Sequence, residues 1–183
     1  MDSPTTKLNF GGTDYDVLRV PYYTQSDSDS KCYPYSVKMC LEYFHNVYPH
    51  AINTPVFNID EIADILNTRD AGTPIENLTI RLNEKINNIE FKFLEYSNFE
   101  IIETQLKKHL PIIVLYDYSY YQTYQRGNGH AGVVVGITPD SLILNNPWLG
   151  PFKDMDKLRF ERAWECEHKA LIKMTPIKTL VDV

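Results

Sequence analysis

Four residues have the side-chain types that thiol-based acyl chemistry requires: Cys32, His130, Asn146 and Gln25. A thiolate attacks a carbonyl carbon, an imidazole takes and returns a proton, and an amide oxygen holds the ring by accepting its second N–H. A further amide N–H stabilises the oxyanion. Cys32 ends the polar run QSDSDSK and begins CYPYSVKMCLEYF, whose apolar spacing is helical. It therefore falls at a helix N-terminus, where unpaired N–H groups and the helix dipole favour thiolate over thiol. His130 opens HAGVVVGI directly after RGNG, and Asn146 closes SLILNN before Pro147. Gln25 precedes Cys32 by seven residues, within reach of the Cys32 backbone N–H.

The elements that must hold these residues are legible in the spacing. From Pro34, the positions Val37, Cys40, Leu41 and Phe44 predict an amphipathic helix over 33–46, with the proline in its first turn. The Ser/Asp run before Cys32 reads as a loop. A second helix starts at Asn58, capped reciprocally by Glu61 and burying Ile62, Ile65 and Leu66. A third begins at Thr73-Pro74, with a face of Ile75, Leu78, Leu82 and Ile86. IEFKFLEY alternates as a strand, and SNFEIIETQLKKHL is a capped helix that Pro111 ends. IIVLYDY, HAGVVVGI, SLILNN and HKALIKMT are strand-like. TPDS is a hairpin turn that brings the ends carrying His130 and Asn146 together.

This order predicts an α+β domain with its N-terminal helices packed on one side of a C-terminal antiparallel sheet. One domain is expected over 1–183, with 1–16 a loosely packed leading segment. Alternation along SLILNN sets Asn146 with Leu142 and Leu144, and Asn145 with Ile143. On residue pattern alone, either asparagine fits beside the histidine.

The chain has 183 residues and a net charge of −6, and its eighteen Lys and Arg are scattered. That distribution argues against a nucleic-acid backbone or an anionic membrane as partner. No apolar stretch reaches the roughly 20 residues of a membrane-spanning helix, and no secretory signal opens the sequence. A cytoplasmic location is the expectation. The three cysteines, Cys32, Cys40 and Cys166, include no CxxC pair, so free thiols are expected. Cys40 falls on the apolar helix face, and Cys166 reads as structural. The five histidines show no metal-ligand spacing, so no metal and no cofactor are expected. His45, His50, His109 and His168 read as solvated or capping residues.

VPYYTQ, the C-x-P-x-S helix start running to MCLEYF, the strand HAGVVVGI and the segment LNNPWLG resemble one family. It is the papain-like, bacteriocin-processing (double-glycine peptidase-like) family of cysteine peptidases. KHLPIIVLYD and FERAW are weaker matches, and the likeness spans about residues 20–175. The resemblance implies a papain-like cysteine peptidase fold and cleavage of peptide bonds, in relatives often after paired glycines of a leader peptide. It assigns Cys32 as nucleophile, His130 as base, Asn146 as the residue orienting the ring, and Gln25 as oxyanion donor. It also chooses Asn146 over Asn145. The chain departs from the family at Tyr33, where a glycine usually follows the cysteine, and at Asn146, where aspartate is common.

A peptide or protein substrate is therefore expected, cleaved through a thioester acyl-enzyme. Substrate contacts are expected at Tyr33, at Tyr121 and Tyr124 of the tyrosine-rich stretch before His130, and at Gly129 and Trp148. Two other functions suit the same residues. One is transglutaminase-like acyl transfer on the same triad, and the other is peptide binding without turnover.

Overall fold

The computed structural model describes residues 3–26, 30–49 and 57–177 of the chain. Part of the Ser/Asp loop (27–29) and His50 lie outside the described residues. The segment expected to be loosely packed holds an antiparallel hairpin, β1 (Thr5–Phe10) and β2 (Thr13–Leu18). It turns on Gly11 and Gly12, both at positive φ, as tight hairpins require. Most of its side chains are at least partly exposed until Val17 and Leu18, which are buried.

Helix α1 (Cys32–Val47) buries Val37, Cys40, Leu41 and Phe44, the four positions its spacing marks, and carries Pro34 in the first turn. Helix α2 (Ile59–Ile65) opens on the expected capping box: Asn58 Oδ1 accepts from Glu61 N at 2.9 Å, and Glu61 Oε2 accepts from Asn58 N at 2.7 Å. The third helix starts later than its spacing suggests. After Pro74 the chain makes one 3-10 turn, Ile75–Asn77, and α3 is Ile80–Lys85. The tighter winding breaks the 3.6-residue register. Leu78, Leu82 and Ile86 are buried, while Ile75 stays 70% exposed.

The remaining elements are β3 (Ile89–Leu94), α4 (Phe99–Lys107), β4 (Ile112–Asp117), α5 (Tyr118–Thr123), β5 (Gly129–Ile137), β6 (Ser141–Asn146), β7 (Gly150–Asp156), α6 (Lys157–Glu165) and β8 (Leu171–Pro176). Six strands form one antiparallel sheet in the order β3-β8-β4-β5-β6-β7. Helices α1 to α3 cover one face, where Phe44 and Leu82 join a core with Val133, Val135 and Ile172. Helices α4 and α6 cover the other, where Phe160 and Trp164 meet Val114, Val134 and Leu144. The sequence reading placed helices on one side only. Strands such as IIVLYD and GVVVGI are apolar on both faces, so both need cover.

Several elements escaped the sequence reading, strand β1 and helix α6 among them. The start of the tyrosine-rich stretch forms α5, capped by Asp117 Oδ1 accepting from Tyr120 N at 2.8 Å. Edge strand β7 carries Lys153, Asp154 and Asp156, charges that blunt an edge and mask a strand pattern.

The hairpin docks where β5 has no side chain to obstruct it. A Cβ on Gly136, at a register shift between β5 and β6, would sit 2.7 Å from Val17 Cγ1 and 3.2 Å from Ile143 Cδ1. Gly136→Ala is therefore expected to destabilise the fold by about 1–3 kcal/mol through overpacking. A lowered urea midpoint at unchanged slope would show it, and an unchanged midpoint would show that the hairpin docks elsewhere.

Candidate functional site

Cys32 is the first residue of α1, so the N–H groups of the opening turn have no acceptor within the helix. The backbone groups of Cys32 and Tyr33, together with that of Ala131 on β5, hydrogen-bond the Cys32 sulfur and draw its pKa down. Burial outweighs them and holds the thiol above its ordinary 9.0. The helix start alone had suggested the opposite direction. Desolvation penalises the thiolate more than three backbone dipoles favour it.

His130 lies next to Ala131 near the start of β5 and is only 3% exposed. Its Nε2 meets Asn146 Oδ1 at 3.0 Å. The same oxygen accepts from Trp148 N at 2.8 Å and Leu149 N at 3.0 Å, while Asn146 Nδ2 donates to the Tyr116 hydroxyl at 2.8 Å. Two backbone donors fix which end of the amide faces the ring, because a flipped amide would oppose N–H to N–H. The oxygen facing Nε2 then requires the proton there, which leaves Nδ1 as a lone pair. Nδ1 is buried and has no hydrogen-bond partner among the described residues, Cys32 included.

Aromatic rings enclose the imidazole. Trp148 stacks on it with centroids 4.6 Å apart at 20°, Tyr116 meets it edge-on at 5.7 Å, and Tyr118 packs at 5.6 Å. In this dry surrounding His130 falls from 6.5 to about 4, because burial penalises imidazolium more than the Asn146 bond supports it. Cysteine and histidine therefore rest as neutral thiol and neutral imidazole.

Asn145 does different work. It donates from Nδ2 to Val20 O at 3.0 Å and accepts from Phe152 N at 3.1 Å, clasping the segment that leads to Gln25. Gln25 is buried and donates from its backbone N–H to Pro147 O at 2.9 Å, so it is anchored one residue beyond Asn146.

Cys32 lines two adjoining hollows. One, of about 550 Å³, includes Gly129, Asn128 and Trp148. The other, of about 230 Å³, includes Tyr33, Gly129, His130, Ala131 and Glu167. Tyr33 reaches this second hollow but is 3% exposed, and its hydroxyl donates to the Leu78 carbonyl. Tyr121 and Tyr124 line neither hollow; their rings flank the Arg159 guanidinium at 5.1 and 4.9 Å. The sequence reading missed Tyr116 and Glu167. Tyr116 sits in an apolar strand run that hides a polar role, and Glu167 carries no pattern at all. Of the other cysteines, Cys40 is fully buried in the core, and Cys166 donates to Arg162 O at 3.4 Å at the end of α6.

The model of the Peptidase_C39 like family matches residues 17–171. The chain belongs to that family of cysteine-type peptidases. Three solved structures share the fold. A candidate C39-like peptidase from Bacillus anthracis superposes with a TM-score of 0.69 at 14% identity, covering 88% of this chain and 96% of its own. A double glycine motif protease from an AMS/PCAT transporter, solved with its leader peptide, gives 0.59 at 16%, covering 87% and 93%. The peptidase domain of Streptococcus ComA, a bifunctional ABC transporter of a quorum-sensing pathway, gives 0.58 at 19%, covering 87% and 100%. A search of curated proteins finds no match. No helix among the described residues is long and apolar enough to cross a membrane.

Two measurements check the electrostatics. Alkylation of Cys32 by a small haloacetamide should keep rising past pH 9.0, since burial holds the resting thiol up; a rate already level below neutral pH would reveal an ion pair instead. Unfolded His130 takes up a proton below 6.5, but the folded ring does so only near 4. Stability is therefore lost as pH falls through that window, by about 3 kcal/mol at most from this residue. Urea midpoints from pH 7 to 4 should fall more steeply for the native protein than for His130→Gln.

Proposed function

We propose that the protein, as a C39-like peptidase, hydrolyses peptide bonds with Cys32 as nucleophile, His130 as general base and acid, Asn146 as the residue orienting the ring and Gln25 as oxyanion donor. One observation carries the reading. The His130 ring is held at Nε2 by Asn146, its Nδ1 lone pair is left without a partner, and the ring borders the hollow that Cys32 lines. The absence of a Cys32–His130 hydrogen bond is compatible with this role, because catalytic bonds are often loose before substrate binds.

A peptide lying across the two hollows brings its carbonyl carbon to Cys32. The thiol proton passes to His130 Nδ1 as the sulfur–carbon bond forms, so charge separates only when the carbonyl is present to accept it. The tetrahedral oxyanion is met by the Cys32 backbone N–H and the Gln25 side-chain amide. His130 returns the proton to the leaving amine, and the carbon–nitrogen bond breaks to give a thioester. A water deprotonated at Nδ1 then hydrolyses the thioester, releasing the acid and restoring the thiol. Asn146 is neutral, so it orients the imidazolium without the charge a carboxylate would supply. That a structural neighbour is a protease solved with a leader peptide supports a peptide as substrate.

Cys32→Ala is expected to abolish both cleavage of a peptide library and labelling by a peptidyl vinyl sulfone. Labelling that persists in this variant would refute the nucleophile. Asn146→Ala, which frees the ring, should lower kcat roughly a hundredfold with little change in KM. Acid as the sole product, even with a primary amine added, distinguishes hydrolysis from acyl transfer.

A further inference from the structure

The 230 Å³ hollow beside Cys32 is built of two parts. One part of its lining is apolar, from Ile75, Leu78, Leu115 and Ala131, beside polar groups that include Ser30 and Thr73. Glu167 adds a carboxylate. The turn carrying it between α6 and β8 is held by backbone bonds from Glu167 N to Trp164 O and from Ala170 N to Glu167 O. The carboxylate leans over Gly129, whose missing Cβ would lie 3.7 Å from Glu167 Oε1.

Among the described residues, no hydrogen bond or ion pair engages this carboxylate. Arg126 and His168 act on it only through space. Asp117 adds negative charge nearby, and its own oxygens are taken by the N–H groups of Tyr120 and Gly127. Partial burial and Asp117 push Glu167 up from its ordinary 4.5, and Arg126 and His168, acting from a distance, offset this only in part.

We infer that this hollow selects peptide substrates carrying a lysine or arginine side chain close to the scissile bond, its aliphatic stem against the apolar walls and its charged head on Glu167. The inference rests on the peptidase reading above and adds a substrate class to it. A long basic side chain is an apolar stem with a cationic tip, the same two-part chemistry as the hollow. An apolar side chain there would strip water from Glu167 without replacing it, and an acidic one would be repelled. Glu167 thus acts on which peptide binds, not on the bond-breaking step.

Peptidyl vinyl sulfones with arginine, norleucine or glutamate at each of the two residues before the electrophile test this directly. At one of the two positions, arginine should inactivate the protein roughly tenfold faster than norleucine, the factor expected of one charge-assisted hydrogen bond. Glutamate should be slowest. Glu167→Gln should bring the arginine rate down to that of norleucine while leaving the norleucine rate unchanged, and Glu167→Lys should invert the order of arginine and glutamate. Equal rates for arginine and norleucine, or a preference that survives Glu167→Gln, overturn the inference while the peptidase reading stands. Failure of every probe to label Cys32 overturns both.

Discussion

The side-chain oxygen of Asn146 collects three hydrogen bonds, from His130 Nε2 and from the backbone N–H groups of Trp148 and Leu149, and the surrounding geometry follows from that convergence. The two backbone bonds curl the chain after β6 into a turn. That turn lays Trp148 flat on the imidazole and presents the Pro147 carbonyl to both Gln25 N and the Tyr22 hydroxyl. The amide's other end is occupied by Tyr116, so it has one orientation and the ring has one tautomer. A single buried side chain thereby connects β6, β5, β4 and the segment around Gln25 that precedes α1.

The same enclosure sets the electrostatics. Excluding water from His130 keeps it neutral far into acid, and the partial burial of Cys32 raises its thiol pKa. A carboxylate in place of Asn146 would offset the cost of imidazolium, and an amide does not. The proposed mechanism therefore takes its charge separation at the moment of attack. Hydrogen-bond donors already fixed at the start of α1 need no reorganisation then. Beside this neutral pair, the unpaired carboxylate of Glu167 is the contrasting element of the cleft.

Much of the architecture was legible because it depends on short-range rules. The capping box of Asn58 and Glu61, the four apolar positions of α1 and the strands carrying His130 and Asn146 are local patterns, and all appear as read. The failures share a cause. Thr73-Pro74 resembles a helix start, but the chain makes a 3-10 turn there, after which Leu78 is buried while Ile75 stays exposed. Tyr121, on α5, and Tyr124, just after it, pack their rings against Arg159, a contact that no local pattern announces. The charged β7 does not look like a strand until β6 supplies its partner.

By itself, then, the sequence determined the class of the fold, the element on which each of Cys32, His130 and Asn146 sits, and the chemistry that these side chains and Gln25 are capable of. Such facts reside in residue type and in spacings of two to four residues. The tertiary structure alone decided that the free ring nitrogen is Nδ1 and that burial raises the Cys32 thiol despite its helix start. It alone set Glu167 opposite Gly129. Each of these depends on groups far apart in the chain and on the exclusion of water between them, and neither is encoded in any local pattern.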